Sequence, residues 1–237
     1  MNAWSGEVVP ALADAVGALL DVAFDRAEAP GVLPIVQAGD PVLRTPAAAY
    51  TGQLGDQLPR LLEAMRRTMR AAPGVGLAAP QIGIGLALAV CEDAGMPGDA
   101  RERAPLPYRV LVNPRYAAVA DGSAPARVAF YEGCLSVEGW QAVVARFRRV
   151  RLTGQDETGA ALDEVLTGWP ARIVQHETDH LRGELYLDHA ETRSWTSNAN
   201  HARFWSASPD PAASATALGF TLDRPTVGRW TDAVKPA

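Results

Sequence analysis

The stretch QHETDHLRG, residues 175–183, places two histidines four positions apart in a segment whose apolar residues recur with helical spacing. On a helix, His176 and His180 lie one turn apart on the same face, so both imidazole rings can reach one metal ion. Glu177 follows the first histidine, where its carboxylate can face a metal-bound water and pass a proton to a leaving amine. The spacing alone is equally compatible with two surface histidines on a charged helix.

A third metal ligand is expected, because catalytic sites of this kind use three protein ligands and keep one position open. Cys134 lies in the stretch YEGCLS, residues 131–136, just after a predicted strand. A thiolate at this position can complete the ligand set from outside the helix. Taken alone, Cys134 is also compatible with an ordinary buried cysteine.

The glycine-rich stretch GVGLAAPQ, residues 74–81, has small residues that let other backbone approach closely. It does not match the dinucleotide-binding fingerprint, because Ala79 stands where the third glycine is required and no phosphate-binding lysine follows. Gln81 offers a neutral amide N–H, which is a donor type that stabilises an oxyanion. In isolation, Gln81 is also compatible with a polar loop residue.

Hydrophobic periodicity predicts three helices and several short strands around these stretches. The helices are expected over residues 8–26, 56–72 and 169–182. Strands are expected at the start of 34–46 and over 86–92, 108–113, 116–120, 127–131, 143–155 and 161–167, with a hairpin turn at 156–159. The predicted fold class is α+β, with antiparallel β-sheets packed around a central metal-binding helix.

Composition excludes several classes of protein. The chain has 237 residues, 48% of them hydrophobic, which suits one main domain, and its net charge of −5 argues against a surface built to bind nucleic acid. The two cysteines, Cys91 and Cys134, are too few for a secreted disulfide framework. The N-terminus does not suit a signal peptide, and no apolar run approaches the ~20 residues of a membrane span. A cytoplasmic protein that binds neither membranes nor nucleic acid is expected.

The segments GVGLAAPQ, EGCLS and QHETDHLRG, in this order, resemble the three signature motifs of the peptide deformylases. The resemblance implies a metal held by Cys134, His176 and His180, with water or hydroxide in the fourth position as the nucleophile. It implies that Glu177 is the general base and then the general acid. The substrate would be the N-formylmethionyl end of a nascent peptide, and the products would be formate and a free amino terminus.

The same resemblance implies roles for residues around the metal. The oxyanion would be stabilised by the Gln81 side chain and the Leu135 backbone N–H, while Glu132 would pair with Arg146 and hold the loop that carries Cys134. The other implied residues bind substrate, either by lining the pocket for the methionine side chain or by pairing with the peptide backbone. They are Val75, Trp169 and Ile173 for the pocket, and Gly76 and Gly133 for the backbone.

The resemblance also bears on the metal and on domain organisation. It implies one ferrous ion per chain in the cell, although a thiolate and two imidazoles also suit zinc, nickel or cobalt. It covers about residues 33–189, the expected catalytic domain, which leaves an N-terminal helical extension over 1–32 and a C-terminal extension over 190–237.

The chain departs from the family pattern in two places. Residues 138–141, EGWQ, lack the proline that many relatives carry there, and Gln141 stands where some relatives have arginine. The tail lacks the basic C-terminal helix thought to contact the ribosome in many bacterial relatives, so the sequence does not support a partner at the ribosome exit region. Tail aromatics, among them Trp195, Phe220 and Trp230, predict that the tail docks on the protein in places.

Two other functions are compatible with parts of the pattern. A zinc endopeptidase also uses two histidines and a glutamate at this spacing, but Cys134 as third ligand and the lack of a downstream ligand motif count against it. A metal-binding relative without turnover is disfavoured by the presence of both Glu177 and Gln81.

Overall fold

The structure is a computed structural model, and it describes residue 4, residues 6–120, residue 122 and residues 124–222. The helices are α1 Pro10–Phe24, α2 Leu58–Ala71, α3 Gly168–Leu181, α4 Asn198–Phe204 and α5 Ala212–Leu218. The strands are β1 Gly76–Ala78, β2 Leu88–Asp93, β3 Leu106–Ala118, β4 Arg127–Cys134, β5 Val137–Phe147, β6 Arg149–Gln155, β7 Ala161–Thr167 and β8 Thr196–Ser197. The three helices and the hairpin turn predicted from the sequence are confirmed. Among the described helices, none is long and apolar enough to span a membrane.

The strands form two sheets whose neighbouring strands pair in antiparallel fashion. One sheet has five strands in the order β1-β2-β3-β6-β7, and the other has three in the order β4-β5-β8. Strands β1 and β4 therefore lie at sheet edges, where backbone N–H and C=O groups face outward. The predicted α+β class, with antiparallel sheets around the helix that carries the histidines, is confirmed.

Helix α3 lies between the sheets, and 12 of its 14 residues are buried. Gln175 fixes its position, because the side-chain amide accepts from the Phe147 backbone N–H (3.1 Å) and donates to the Phe147 carbonyl (2.8 Å). The apolar side chains of Ile173 and Val174 pack with the five-stranded sheet. The helix is thus held from both sides.

Two strand boundaries differ from the prediction. The expected strands 108–113 and 116–120 form one strand, β3. Asn113, at φ +50°, and Pro114 do not end this strand, because its pairing with β6 shifts register at these two residues and then continues. The single strand expected over 143–155 is two strands in different sheets, since Phe147 pairs with β4 and Arg149 pairs with β7. No glycine or proline marks this corner in the sequence.

The short strand expected at the start of residues 34–46 was wrong. Backbone hydrogen bonds from this segment go to different partners, from Val36 to Gln81 (2.9 Å) and from Ala38 to Ser136 (2.7 Å), so no ladder forms. The side-chain amide of Gln37 instead stabilises the turn after Cys134, because it donates a hydrogen bond to the Leu135 carbonyl at 3.0 Å.

The terminal segments pack against different parts of the molecule. Leu20 of α1 joins the core cluster that contains Leu61 and Met65 of α2. Phe220 is buried with Val143 of β5, which confirms that part of the tail docks. Trp195 is about half exposed, and Trp230 lies outside the described residues.

Candidate active site

Strand β4 and helix α3 bring Cys134, His176 and His180 together. Their ligand atoms all lie within 4.8 Å of one another, and Cys134 Sγ is 3.2 Å from His180 Nε2. One thiolate and two imidazoles on two rigid elements are a donor set that suits zinc or a first-row transition metal with one open position. The residues present therefore fit a single divalent cation.

Neighbouring groups orient the His176 ring. Its Nδ1 lies 3.2 Å from Glu132 Oε2, which directs Nε2 toward the ligand cluster. Tyr186 stacks on the ring with 6.3 Å between centroids and 19° between planes. A carboxylate behind a metal-binding histidine fixes the ring orientation and raises the basicity of the ligand.

Arg146 connects strand β4 and helix α3, which carry the three candidate ligands. Its guanidinium donates to both oxygens of Glu132, at 2.7 and 3.0 Å, and to Asp179 at 2.6 Å. Burial by itself raises the pKa of Glu132, but the adjacent Arg146 and Arg172 hold that pKa well below its usual range. Glu132 is thus an anion that receives hydrogen bonds from the cations and faces His176.

Arg172 belongs to this ion-pair network, although the sequence analysis did not identify it. Its side chain is 4% exposed, forms an ion pair with Glu132 and donates to the Val144 and Val128 carbonyls at 3.0 and 2.6 Å. The sequence does show that a basic residue stands one helical turn before His176 on a helix that also carries apolar residues. A charge at that position predicts a buried partner, but it does not say which one.

Glu177 projects from α3 beneath β1. An ideal Cβ at Gly76 would lie 2.1 Å from Glu177 Oε1, so the carboxylate occupies the space that a side chain at position 76 would need. Within the described part of the chain, Glu177 Oε2 is buried without a hydrogen-bond partner. Burial raises the pKa of Glu177 to about 7, so this carboxylate can both accept and return a proton near neutral pH.

Gln81 is held in a defined orientation. Its Oε1 accepts from the Ala78 backbone N–H at 2.8 Å, which leaves Nε2 facing Cys134 Sγ at 3.5 Å and Ser136 Oγ at 3.3 Å. Among the described residues, no hydrogen bond from the Leu135 backbone N–H is found. Two N–H donors thus lie next to Cys134.

A cleft of about 870 Å³ opens onto these groups. Its lining includes Cys134, His176 and Glu177. All five residues that the sequence analysis assigned to substrate binding also line it: Val75, Gly76, Gly133, Trp169 and Ile173. The edge strands β1 and β4 both border the cleft.

The fold and the site define a class of protein: a metal-dependent hydrolase of α+β architecture, with a Cys-His-His grouping that could hold a metal ion and a buried glutamate. The polypeptide deformylase family model matches residues 32–195, and the chain belongs to this family. It removes the formyl group from the N-terminal formylmethionine of newly synthesised proteins. This assignment favours the hydrolase that acts on formyl groups over the zinc endopeptidase.

Known relatives match most of the chain. "Peptide deformylase 3" of Streptomyces avermitilis is 58% identical over 227 residues, which cover 94% of this chain and 99% of the relative. The human mitochondrial peptide deformylase is 42% identical over 172 residues, which cover 68% of this chain and 69% of the relative.

Solved structures agree in fold. A Met-Ala-Ser-bound class I type b peptide deformylase from Acinetobacter baumannii has a TM-score of 0.59 and 33% identity, covering 67% of this chain and 98% of that one. A Synechococcus elongatus peptide deformylase in complex with actinonin has a TM-score of 0.57 and 32% identity, covering 83% of this chain and 90% of that one.

Proposed function

We propose that Cys134, His176 and His180 hold one divalent cation and that Glu177 transfers the protons during deformylation. The convergence of three ligand atoms within 4.8 Å beside a buried carboxylate carries this proposal. When bound, the cation supplies Lewis-acid chemistry by polarising the formyl carbonyl and lowering the pKa of water.

Glu177 accepts a proton from the water that adds to the formyl carbon. It then returns this proton to the amine nitrogen as the C–N bond breaks, which yields formate and a free amino terminus. The pKa of about 7 suits both steps, because the carboxylate is neither too weak a base nor too weak an acid near neutrality. Gly76 gives the carboxylate the room it needs under β1.

Gln81 Nε2 and the Leu135 N–H donate to the oxygen of the formyl group as negative charge develops on it. Both donors lie beside Cys134, and the Ala78 N–H fixes the Gln81 amide by occupying its carbonyl oxygen. Donors that are already oriented need no reorganisation when the charge appears, so they stabilise the transition state more than the ground state.

The substrate lies in the cleft as an extended peptide. Its backbone pairs with the edge strands at Gly76 of β1 and Gly133 of β4, and its methionine side chain enters the pocket lined by Val75, Trp169 and Ile173. Edge strands support this placement because their outward backbone groups are free to pair with an added strand.

Ferrous iron is the proposed ion in the cell, with zinc, nickel and cobalt as alternatives that the same donors accept. The proposed catalytic unit is residues 33–189, with extensions over 1–32 and 190–237. Because the substrates are nascent formylmethionyl chains, the protein acts in the cytoplasm. No ribosome contact is proposed, since α5, AASATAL, has no basic residue.

The test measures formate release from formyl-Met-Ala-Ser by anaerobically purified protein, with metal content determined on the same sample. Glu177→Ala should keep the metal and lose about 10²- to 10⁴-fold in rate, the usual contribution of a general acid/base. Near-normal turnover by this variant would remove Glu177 from the mechanism. A fully metallated wild type that releases no formate would point to a relative without turnover.

A further inference from the structure

The C-terminal extension completes the sheet that carries Cys134. Strand β8 pairs with β5 through Trp140 opposite Ser197 and Gln141 opposite Thr196. On its other side, Gln141 lies opposite Gly133 of β4, next to the ligand cysteine. Hydrogen-bonded backbone thus runs without interruption from the edge strand at the cleft to the extension.

Asn198, the first residue of α4, lines the cleft although it lies outside the proposed catalytic unit. Gln141 Nε2 donates to Asn198 Oδ1 at 2.9 Å. This bond orients the Asn198 amide so that its N–H groups remain available to an acceptor in the cleft. The hydrogen-bond partner of Gln141 therefore comes from the extension.

Two tryptophans extend the same wall. Trp140 of β5 and Trp195, just before β8, have ring centroids 5.1 Å apart and remain 45% and 52% exposed. Trp140 also lines the cleft. An exposed aromatic pair that is continuous with a binding cleft is a surface that gains stability when an apolar side chain covers it.

We propose that Trp195–Asn198 forms the distal wall of the peptide cleft and binds the residues that follow the first two of the nascent chain. This inference rests on the proposed function, which places the formyl group beside Cys134. A cleft of about 870 Å³ is near the upper end of the ~300–1,000 Å³ of small-ligand sites, so it holds more than formylmethionine. Asn198 donates to the peptide backbone, and the tryptophan pair contacts an apolar side chain at the third or fourth position.

The test compares kcat/KM for formyl-Met-Ala and for formyl-Met-Ala-Leu-Leu-Ser. Asn198→Ala and Trp195→Ala should each lower kcat/KM for the longer peptide about threefold to tenfold and change that for the dipeptide less than about twofold, as expected from loss of one contact. Gln141→Leu, which removes the partner of Asn198, should have the same selective effect as Asn198→Ala.

Matched controls come from the same helix. Asn200 and Phe204 are exposed residues of α4 outside the cleft lining, so Asn200→Ala and Phe204→Ala should leave both substrates unaffected. Equal losses on the two peptides, or no loss on the longer one, would overturn the proposal. A change of oligomeric state in Trp195→Ala, measured by light scattering, would assign the tryptophans to a contact between copies instead. Failure of the wild type on both peptides would overturn the proposed function itself.

Discussion

At the scale of single residues, Gln81 shows how one side chain is oriented by its two ends. The carbonyl oxygen is occupied by the Ala78 N–H, which determines that the NH₂ group faces Cys134. A leucine has similar bulk and lacks both the donor and the acceptor.

Gln81→Leu should lower kcat about 10²- to 10³-fold, the usual cost of removing one oxyanion donor, with little change in metal content. Steady-state formate release and metal analysis of the same preparation test this expectation. Unchanged kcat would assign oxyanion stabilisation to other donors.

At the scale of elements, strand β1 passes so close to helix α3 that a side chain at residue 76 would collide with the side chain of Glu177. A Cβ on residue 76 would lie 2.1 Å from Oε1 and 2.4 Å from Cδ of Glu177. The conflict involves the carboxylate that we propose transfers the proton, so an added methyl group would displace it.

Gly76→Ala should therefore lower kcat by about 10²-fold or more, since a displacement of about 1 Å at a reacting group costs that much. Gly85→Ala is the matched control, because a Cβ there meets nothing within 4 Å. Formate release measures both variants. A Gly76→Ala enzyme as active as the control would show that Glu177 can act from another position.

The packing of β4, β5 and α3 against one another depends on the buried guanidinium group of Arg146. Arg146 is 4% exposed and pairs with Glu132 and Asp179, which are similarly buried. Removing one member of such a network leaves uncompensated charge in a poorly solvated interior.

Arg146→Met should reduce the free energy of unfolding by about 3–5 kcal/mol, as measured by urea denaturation. Arg151→Met removes an exposed pair with Asp163, in which the two side chains are 58% and 51% exposed, and should leave the free energy of unfolding nearly unchanged, because solvent screens such a pair. Equal effects of the two substitutions would contradict a structural role for the buried network.

At the scale of the whole molecule, the end of the proposed catalytic unit is held near α3 by the side chain of His189. His189 Nε2 lies 2.8 Å from Glu184 Oε2 and 3.7 Å from Asp179 Oδ2. The hydrogen bond to Glu184, with the nearby charge of Asp179, raises the pKa of His189 above its usual value despite partial burial.

A group whose pKa is higher in the folded than in the unfolded state contributes its full stabilisation at pH values below the unfolded-state pKa. This contribution is lost as pH rises through the folded-state pKa. His189→Gln should therefore reduce the free energy of unfolding most near about pH 6 and progressively less toward about pH 9. Chemical denaturation of both proteins across this range gives the difference. A difference that grows with pH would contradict the assignment.

The sequence alone predicted the grouping of Cys134, His176 and His180 and the helix that bears two of these residues. Histidines four residues apart share a face on any helix, and helical periodicity depends on neighbours along the chain. The helix boundaries and most strands followed from the same local rules. The sheet change at Arg148 did not, because no glycine or proline marks it and its cause is pairing with distant strands.

Only the tertiary structure decided which further contacts surround the site. Three contacts join residues that are far apart in the chain. They are the ion pair of Arg172 with Glu132 (172 − 132 = 40 positions apart), the close approach of Glu177 to Gly76 (177 − 76 = 101 positions) and the hydrogen bond of Gln141 to Asn198 (198 − 141 = 57 positions). Residue type and periodicity predict that a side chain is buried or that it has a charged partner. They do not report which strand or helix lies across the core, because that depends on packing between elements far apart in the chain.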